Sequence, residues 1–237
     1  VRLKRDQASQ ANAILSKIQQ KTIDFNLDIK TQISQKTAEV VQEAQQGEYD
    51  LVVLVDSCNS RHIPAFHSHF LVRIEENVPC PVFFLKGACH PINRVLLCDS
   101  GAETFQSVMD FTTKLLGLLK GGHDITVLHV MSQISAGPGV SGKQLRAEAE
   151  ELIEAQTPEG RLLEHDLEEL DQPGIHPIPK IRHGMVVDEI IAETNSGDYD
   201  LVVIGAHQQE GWQSFLLENI AQKIIKKIDR SMLVVKS

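Results

Sequence analysis

The sequence predicts an α/β protein in which one doubly wound, parallel-sheet unit occurs twice, the first time without its beginning. Three observations predict it: a segment that recurs at an offset of 150 residues, continuous apolar runs of strand length, and helical-period stretches between them. The repeat is clearest where Gly47-Glu-Tyr-Asp-Leu-Val-Val53 answers Gly197-Asp-Tyr-Asp-Leu-Val-Val203, six identities in seven positions. The register runs on without gaps. Glu43 falls on Glu193, and Val82-Phe-Phe-Leu-Lys86 falls on Met232-Leu-Val-Val-Lys236.

Each element follows from its period. Residues 35–46 and 185–196 place Ala38 and Val41, then Val187, Ile190 and Ile191, at helical spacing and end at a glycine, a common helix C-cap signal. Leu51–Val55 and Leu201–Ile204 are apolar without interruption and rich in β-branched residues, the pattern of a strand covered on both faces. A helix at about 65–77 and 214–228 and a last strand at 81–86 and 231–236 complete each copy. Only the second copy has a start: a strand at 92–98, a helix at 102–120, a strand at 124–130, acidic helical material at 143–171 and a short strand near 176–183. The alternation of strands and helices over 90–237 is that of a doubly wound domain. The first copy instead opens in a helix with basic flanks (Arg2, Lys4, Arg5, Lys17) and apolar Leu3, Ile14, Leu15 and Ile18. The predicted domains are therefore 1–88, the latter part of one unit, and 89–237, a complete one.

Composition narrows the partners. With 23 Lys and Arg against 32 Asp and Glu, the formal net charge is −9, the wrong sign for nucleic acid or an anionic bilayer as main partner. Residues 143–171 alone hold ten acids against Lys143, Arg146 and Arg161, which reads as a solvated helical face or an insertion. The four cysteines, Cys58, Cys80, Cys89 and Cys98, show no C-x-x-C spacing, and a reducing cytoplasm is expected. No apolar run approaches the roughly 20 residues of a membrane span.

These residues resemble a universal stress protein in tandem form. The resemblance rests on the Asp-Leu-Val-Val strand ending in Gly205, the polar loop and helix through Lys223, the final Leu-Val-Val, Val78-Pro-Cys-Pro-Val82, and Cys98-Asp-Ser-Gly101. It implies two parallel five-stranded sheets of order 3-2-1-4-5, the first lacking its first two strands, pairing through the edge fifth strand, and in many members ATP bound where strands one and four diverge. Internal pairing, and a possible homodimer, would use residues 81–86 and 231–236. The missing strands would leave Leu51–Val55 without a hydrogen-bonding neighbour. The reading expects about 60 residues upstream of Val1, the length of two βα units, with a swapped or partner-supplied strand as the alternative.

The resemblance also locates a nucleotide site. The family's loop of Gly, two residues, Gly, nine residues, Gly and Ser or Thr falls on Gly205, Gln208, Glu218 and Asn219. A phosphate cradle needs bare backbone amides. Here Gly211 keeps part of the turn and Asn219 can donate, but Glu218 would set a carboxylate against the phosphates, costing about 4 kcal/mol at 4 Å and an effective dielectric near 20. Asp99 matches the family's nucleoside-contacting acid, with a turn or helix-cap role as the alternative, and Val130 lies beside it. The first copy offers Val55, Cys58, Ser68 and His69 at these positions and looks unable to bind nucleotide.

Other motifs have plainer explanations. Gly137–Lys143 matches G-x4-G-K, yet Gln144 stands where a P-loop needs Ser or Thr for magnesium. His67 and His69 point to different helix faces, so no metal is expected. Cys98 reads as a buried inert thiol and His129 as a packed histidine. The sequence thus predicts a non-catalytic regulatory, stress-response protein with a vestigial site at Asp99, Val130, Gly205, Gln208, Gly211, Glu218 and Asn219 and no cofactor. The alternatives are a module sensing ATP, AMP or a cyclic nucleotide, binding weakly, or the cytosolic tail of a membrane transporter.

Overall fold

A computed structural model describes residues 30, 37–55, 68–86, 91–99, 105–119, 121–131, 148–206 and 219–236. In chain order these form α1 (Thr37–Gln46), β1 (Val52–Val55), α2 (Ser68–Asn77), β2 (Val82–Leu85), β3 (Arg94–Asp99), α3 (Phe105–Gly117), β4 (His123–Met131), α4 (Ala149–Glu154), α5 (Pro158–Leu170), β5 (Ile175–His183), α6 (Val186–Ser196), β6 (Leu201–Ala206), α7 (Asn219–Ile225) and β7 (Ser231–Lys236). The predicted opening helix and the Gly137–Lys143 loop lie outside the described residues.

Two five-stranded sheets pairing through their fifth strands are expected; the described strands form a single seven-stranded sheet. Its seven strands run β1-β2-β7-β6-β3-β4-β5. The block from β5 to β7 is parallel throughout and has the order 3-2-1-4-5 counted within itself. β2 then joins β7 antiparallel and β1 joins β2 parallel, so the ladders merge into one sheet. The expectation that Leu51–Val55 has no hydrogen-bonding neighbour is likewise corrected, since β1 pairs with β2 and only its outer edge lacks a described strand. The strand predicted as short near 176–183 spans nine residues.

The β2–β7 junction has an approximate two-fold symmetry. Phe83 lies opposite Leu233, its own equivalent under the repeat, and Val82 and Phe84 lie opposite Val234 and Met232. Two lysines cross this axis in opposite directions. Lys86 Nζ donates to the carbonyls of Ile225 and Ile228 at 3.2 and 2.8 Å, at the end of α7. Lys236 Nζ donates to the carbonyl of Glu75 near the end of α2 and pairs with its Oε1 at 2.9 Å. Lys86 and Lys236 are equivalent under the offset, as are Glu75 and Ile225, so each half supplies a cation to the carbonyl end of the other half's helix, where the helix dipole favours it.

Strand side chains alternate between two cores. Leu96, Cys98, Val202, Ile204, Val82 and Phe84 meet α1, α2, α6 and α7 through Ala44, Leu71, Ile74, Ile190 and Ile224. Val95, Leu97, Val203 and Leu233 meet α3, α4 and α5 through Phe105, Val108, Leu152 and Leu163 on the other face. The glycine ending each repeated helix is required by a ring. Gly197 has φ −94°, which any residue adopts, but a Cβ there would collide with the Tyr199 ring, and one at Gly47 with Tyr49.

Candidate functional site

In open α/β sheets ligands bind beyond the carboxyl ends of the strands where the strand order diverges, here between β3 and β6. The parallel register sets three of the predicted residues near one level. Asp99 ends β3 opposite His129 of β4, Val130 follows His129, and Gly205 stands one residue beyond the Ile204–Cys98 pair. Gly205 is needed for closeness: an added Cβ would stand 3.0 Å from Val108 Cγ2 of α3. Asn219 opens α7. Gln208, Gly211 and Glu218, with Cys58 and His67 of the first copy, lie outside the described residues.

The sequence reading offered two roles for Asp99 and treated His129 as a packed ring; the structure joins them. His129 Nδ1 donates to Asp99 Oδ2 at 2.6 Å, with side-chain exposures of 15% and 1%. Burial opposes charge on the His129 ring. The bonded Asp99 carboxylate and the charges of Glu159 and Asp166 outweigh that opposition and hold its pKa above the usual histidine range.

Asp166 is the residue that sequence reasoning missed. It lies within residues 143–171, whose composition reads as a solvated helical face or an insertion, yet it is 3% exposed and its Oδ2 has no hydrogen-bond partner. Burial, then the neighbouring Asp99 charge, pushes its carboxyl up to about 7, against the pull of His165 and His129. A signal existed in the spacing. Gly160, Leu163, Asp166 and Leu170 follow helical period on α5 and are all buried, so Asp166 sits on the inward stripe. Cys98 is buried, and desolvation with the charges of Asp99 and Glu193 drives its thiol pKa far up, which makes it a poor nucleophile. No group of three or more metal-ligating side chains occurs among the described residues.

The chain matches the family model of the universal stress protein family over residues 92–236. It belongs to that family. Among solved structures, a chain from Pseudomonas aeruginosa UCBPP-PA14 assigned to the universal stress proteins superposes with a TM-score of 0.60 at 17% identity, covering 95% of this chain and 78% of that one. A functionally unknown protein from Pseudomonas aeruginosa PAO1 gives 0.59 at 16% identity over 95% and 77%. A universal stress protein from Archaeoglobus fulgidus DSM 4304 gives 0.54 at 15% identity over 98% and 78%. At such identities the likeness concerns the fold. No curated protein matches the chain. No helix among the described residues is long and apolar enough to cross a membrane.

Proposed function

We propose that this member of the universal stress family is a non-catalytic regulatory module, built from two copies of one unit, whose crevice does not hold a nucleoside triphosphate tightly. The observation that carries the reading is the acidity beneath the crevice. Asp99, Asp166 and Glu159 all act on His129, and the buried Asp166 is already pushed to about 7 by its surroundings. Burial is the larger cause of that shift and the Asp99 charge the smaller, and it is the Asp99 charge that would oppose an incoming polyanion. Glu218, at a position where the family's phosphate loop has glycine, adds to this. Two-copy organisation is supported by the 150-residue repeat, the self-opposed Phe83–Leu233 pair and the crossed lysines. The buried free thiols of Cys80 and Cys98 favour a reducing, cytoplasmic setting. A catalytic role is not part of the reading, because the thiol at the crevice is a poor nucleophile.

A second reading, a nucleotide-sensing module, draws on the common level of Asp99, Val130 and Gly205. One experiment separates them. The purified chain is denatured and its supernatant run on ion exchange, and the folded chain is titrated with ATP, AMP and cyclic AMP by calorimetry. The regulatory reading expects no stoichiometric nucleotide and a Kd for ATP weaker than about 1 mM, that is, less than about 4 kcal/mol of binding. One equivalent of co-purified ATP, or micromolar ATP affinity, overturns it.

A further inference from the structure

We propose that the α4–α5 hairpin is a proton-controlled flap beside the Asp99–His129 end of the crevice, seated when the buried Asp166 carries a proton and loosened when it does not. The hairpin is built to move as one piece. Thr157 Oγ1, between the two helices, accepts from the Gly160 amide at 3.0 Å and donates to the Leu152 carbonyl at 3.2 Å. Gly160 lets the helices touch, since an added Cβ would collide with that same carbonyl. The pair packs on β4 and on the edge strand β5, and an exposed turn at 171–174, with Gly174 at φ +88°, leads from α5 into β5.

Asp166 makes the seating depend on pH. It shares the inward stripe of α5 with Gly160, Leu163 and Leu170, which carry no charge. Its Oδ2 is buried without a partner, and His165 Nδ1 stands 3.9 Å from its Oδ1, beyond hydrogen-bond reach. Across the interface, the charge of Asp99 on β3 opposes ionisation of Asp166, and His129 on β4 favours it. β5 turns Ile181 into the core beneath α5, so strand alternation sets His183 on that face too; Lys180 and Arg182 lie on the other, against Glu193 of α6. The charged groups of α4 (Glu150, Glu151, Glu154) and of α3 (Asp110, Lys114) are exposed. Glu159, in the first turn of α5, acts on His129 and so places that turn at the crevice.

A charge on a buried oxygen that has no donor is costly, and the hairpin can relieve it by lifting Asp166 into water. Seated, Asp166 keeps its proton up to about pH 7; exposed, it keeps it only to about 4. A group whose pKa is higher in the closed state than in the open one favours closure fully below the open value. Seating is therefore strongest below about pH 4, weakens about tenfold per pH unit above that, and levels off beyond about 7. Loosening admits water to His129 and Asp99, whose side chains are 15% and 1% exposed when the hairpin is seated. Acidification closes that path. The inference goes beyond the nucleotide reading, which ATP affinity tests separately.

The test is amide hydrogen exchange of the 237-residue chain, followed by NMR from pH 5 to 8 with each rate divided by the intrinsic rate at that pH. The opening constant of the α5 amides at 163–170 should rise about fiftyfold from pH 5 to 7 and only about twofold more by pH 8. Amides of β3 at 95–98 should exchange at least about tenfold more slowly throughout, which marks the α5 opening as local. In Asp166→Asn, which keeps the shape and cannot ionise, the α5 opening constant should vary less than about threefold over the same range. An α5 opening that is flat with pH in the parent chain, one no faster than that of β3, or a slope that survives in Asp166→Asn overturns the proposal. Should that variant not fold, the parent profile decides together with a carbon-13 titration of the Asp166 carboxyl, where a midpoint at about 4, the value of an exposed aspartate, also overturns it.

Discussion

Residues 37–86 and 186–236 carry the same local chemistry in different surroundings. In each, a helix ends at a glycine under a tyrosine ring, and the tyrosine hydroxyl donates to a glutamate six residues back, Tyr49 to Glu43 at 2.5 Å and Tyr199 to Glu193 at 2.7 Å. In each, a cation meets that glutamate, Lys30 in one and Arg182 in the other. The halves part at the next layer. Tyr199 and Glu193 are buried and β6 lies between two strands, whereas Tyr49 is half-buried and β1 has one. Helix, turn and strand are thus local products of the motif, while burial and the crevice require β3 and β4, which the second half alone possesses among the described residues.

The contrast can be broken most forcefully at the crossed lysines. Lys236→Met leaves Glu75, 5% exposed, as an uncompensated buried charge, and should cost about 3–5 kcal/mol. Lys86→Met removes donors to two carbonyls and should cost about 1 kcal/mol. Urea midpoints of the two variants decide it, and equal losses would mean that the buried ion pair contributes nothing special.

The titrating cluster belongs to the second half and sharpens the contrast. Asp166 holds its proton up to about pH 7 in the folded chain but only to about 4 once unfolded. A folded pKa above the unfolded one gives a stabilisation that is complete below about pH 4 and is lost as pH rises towards 7. Asp166→Asn should therefore raise stability at pH 7.5 by about 1–3 kcal/mol and flatten the decline between pH 4 and 7. Denaturant melts across that range test this; a variant less stable at pH 7.5 would show that the ionised carboxylate has a partner after all.

The smallest effects compare two equivalent aspartates. Asp200→Ala strips two backbone amides of their acceptor and should cost about 1–3 kcal/mol. Asp50→Ala, at an exposed carboxylate, should change stability by less than about 0.5 kcal/mol. Chemical denaturation of both variants makes the comparison, and a matching loss at Asp50 would show that its carboxylate is held as that of Asp200 is.

Much of the fold was legible because the repeat doubles every local signal. The helix predicted over 185–196 occupies Val186–Ser196, and the strand over 231–236 occupies Ser231–Lys236. The site was legible less well. Asp99, Val130 and Gly205 stand at strand ends, where topology alone predicts a crevice. Asp166 was hidden by composition: nine other acids surround it in residues 143–171, and only its place in the helical period distinguishes the buried one. The Asp99–His129 bond was hidden because the two residues are 30 apart and meet only through strand register.

The sequence by itself determined the elements, their repetition and the acidic balance, because hydrophobic period, turn residues and charge act over a few neighbouring positions. Tertiary structure alone decided the register in which Val82–Phe84 meets Met232–Val234, that two lysines 150 residues apart cap each other's helices, and that one acid among ten is buried beside His129. Those outcomes depend on which strands become neighbours, and hydrogen-bond partners and burial are properties of neighbours in space.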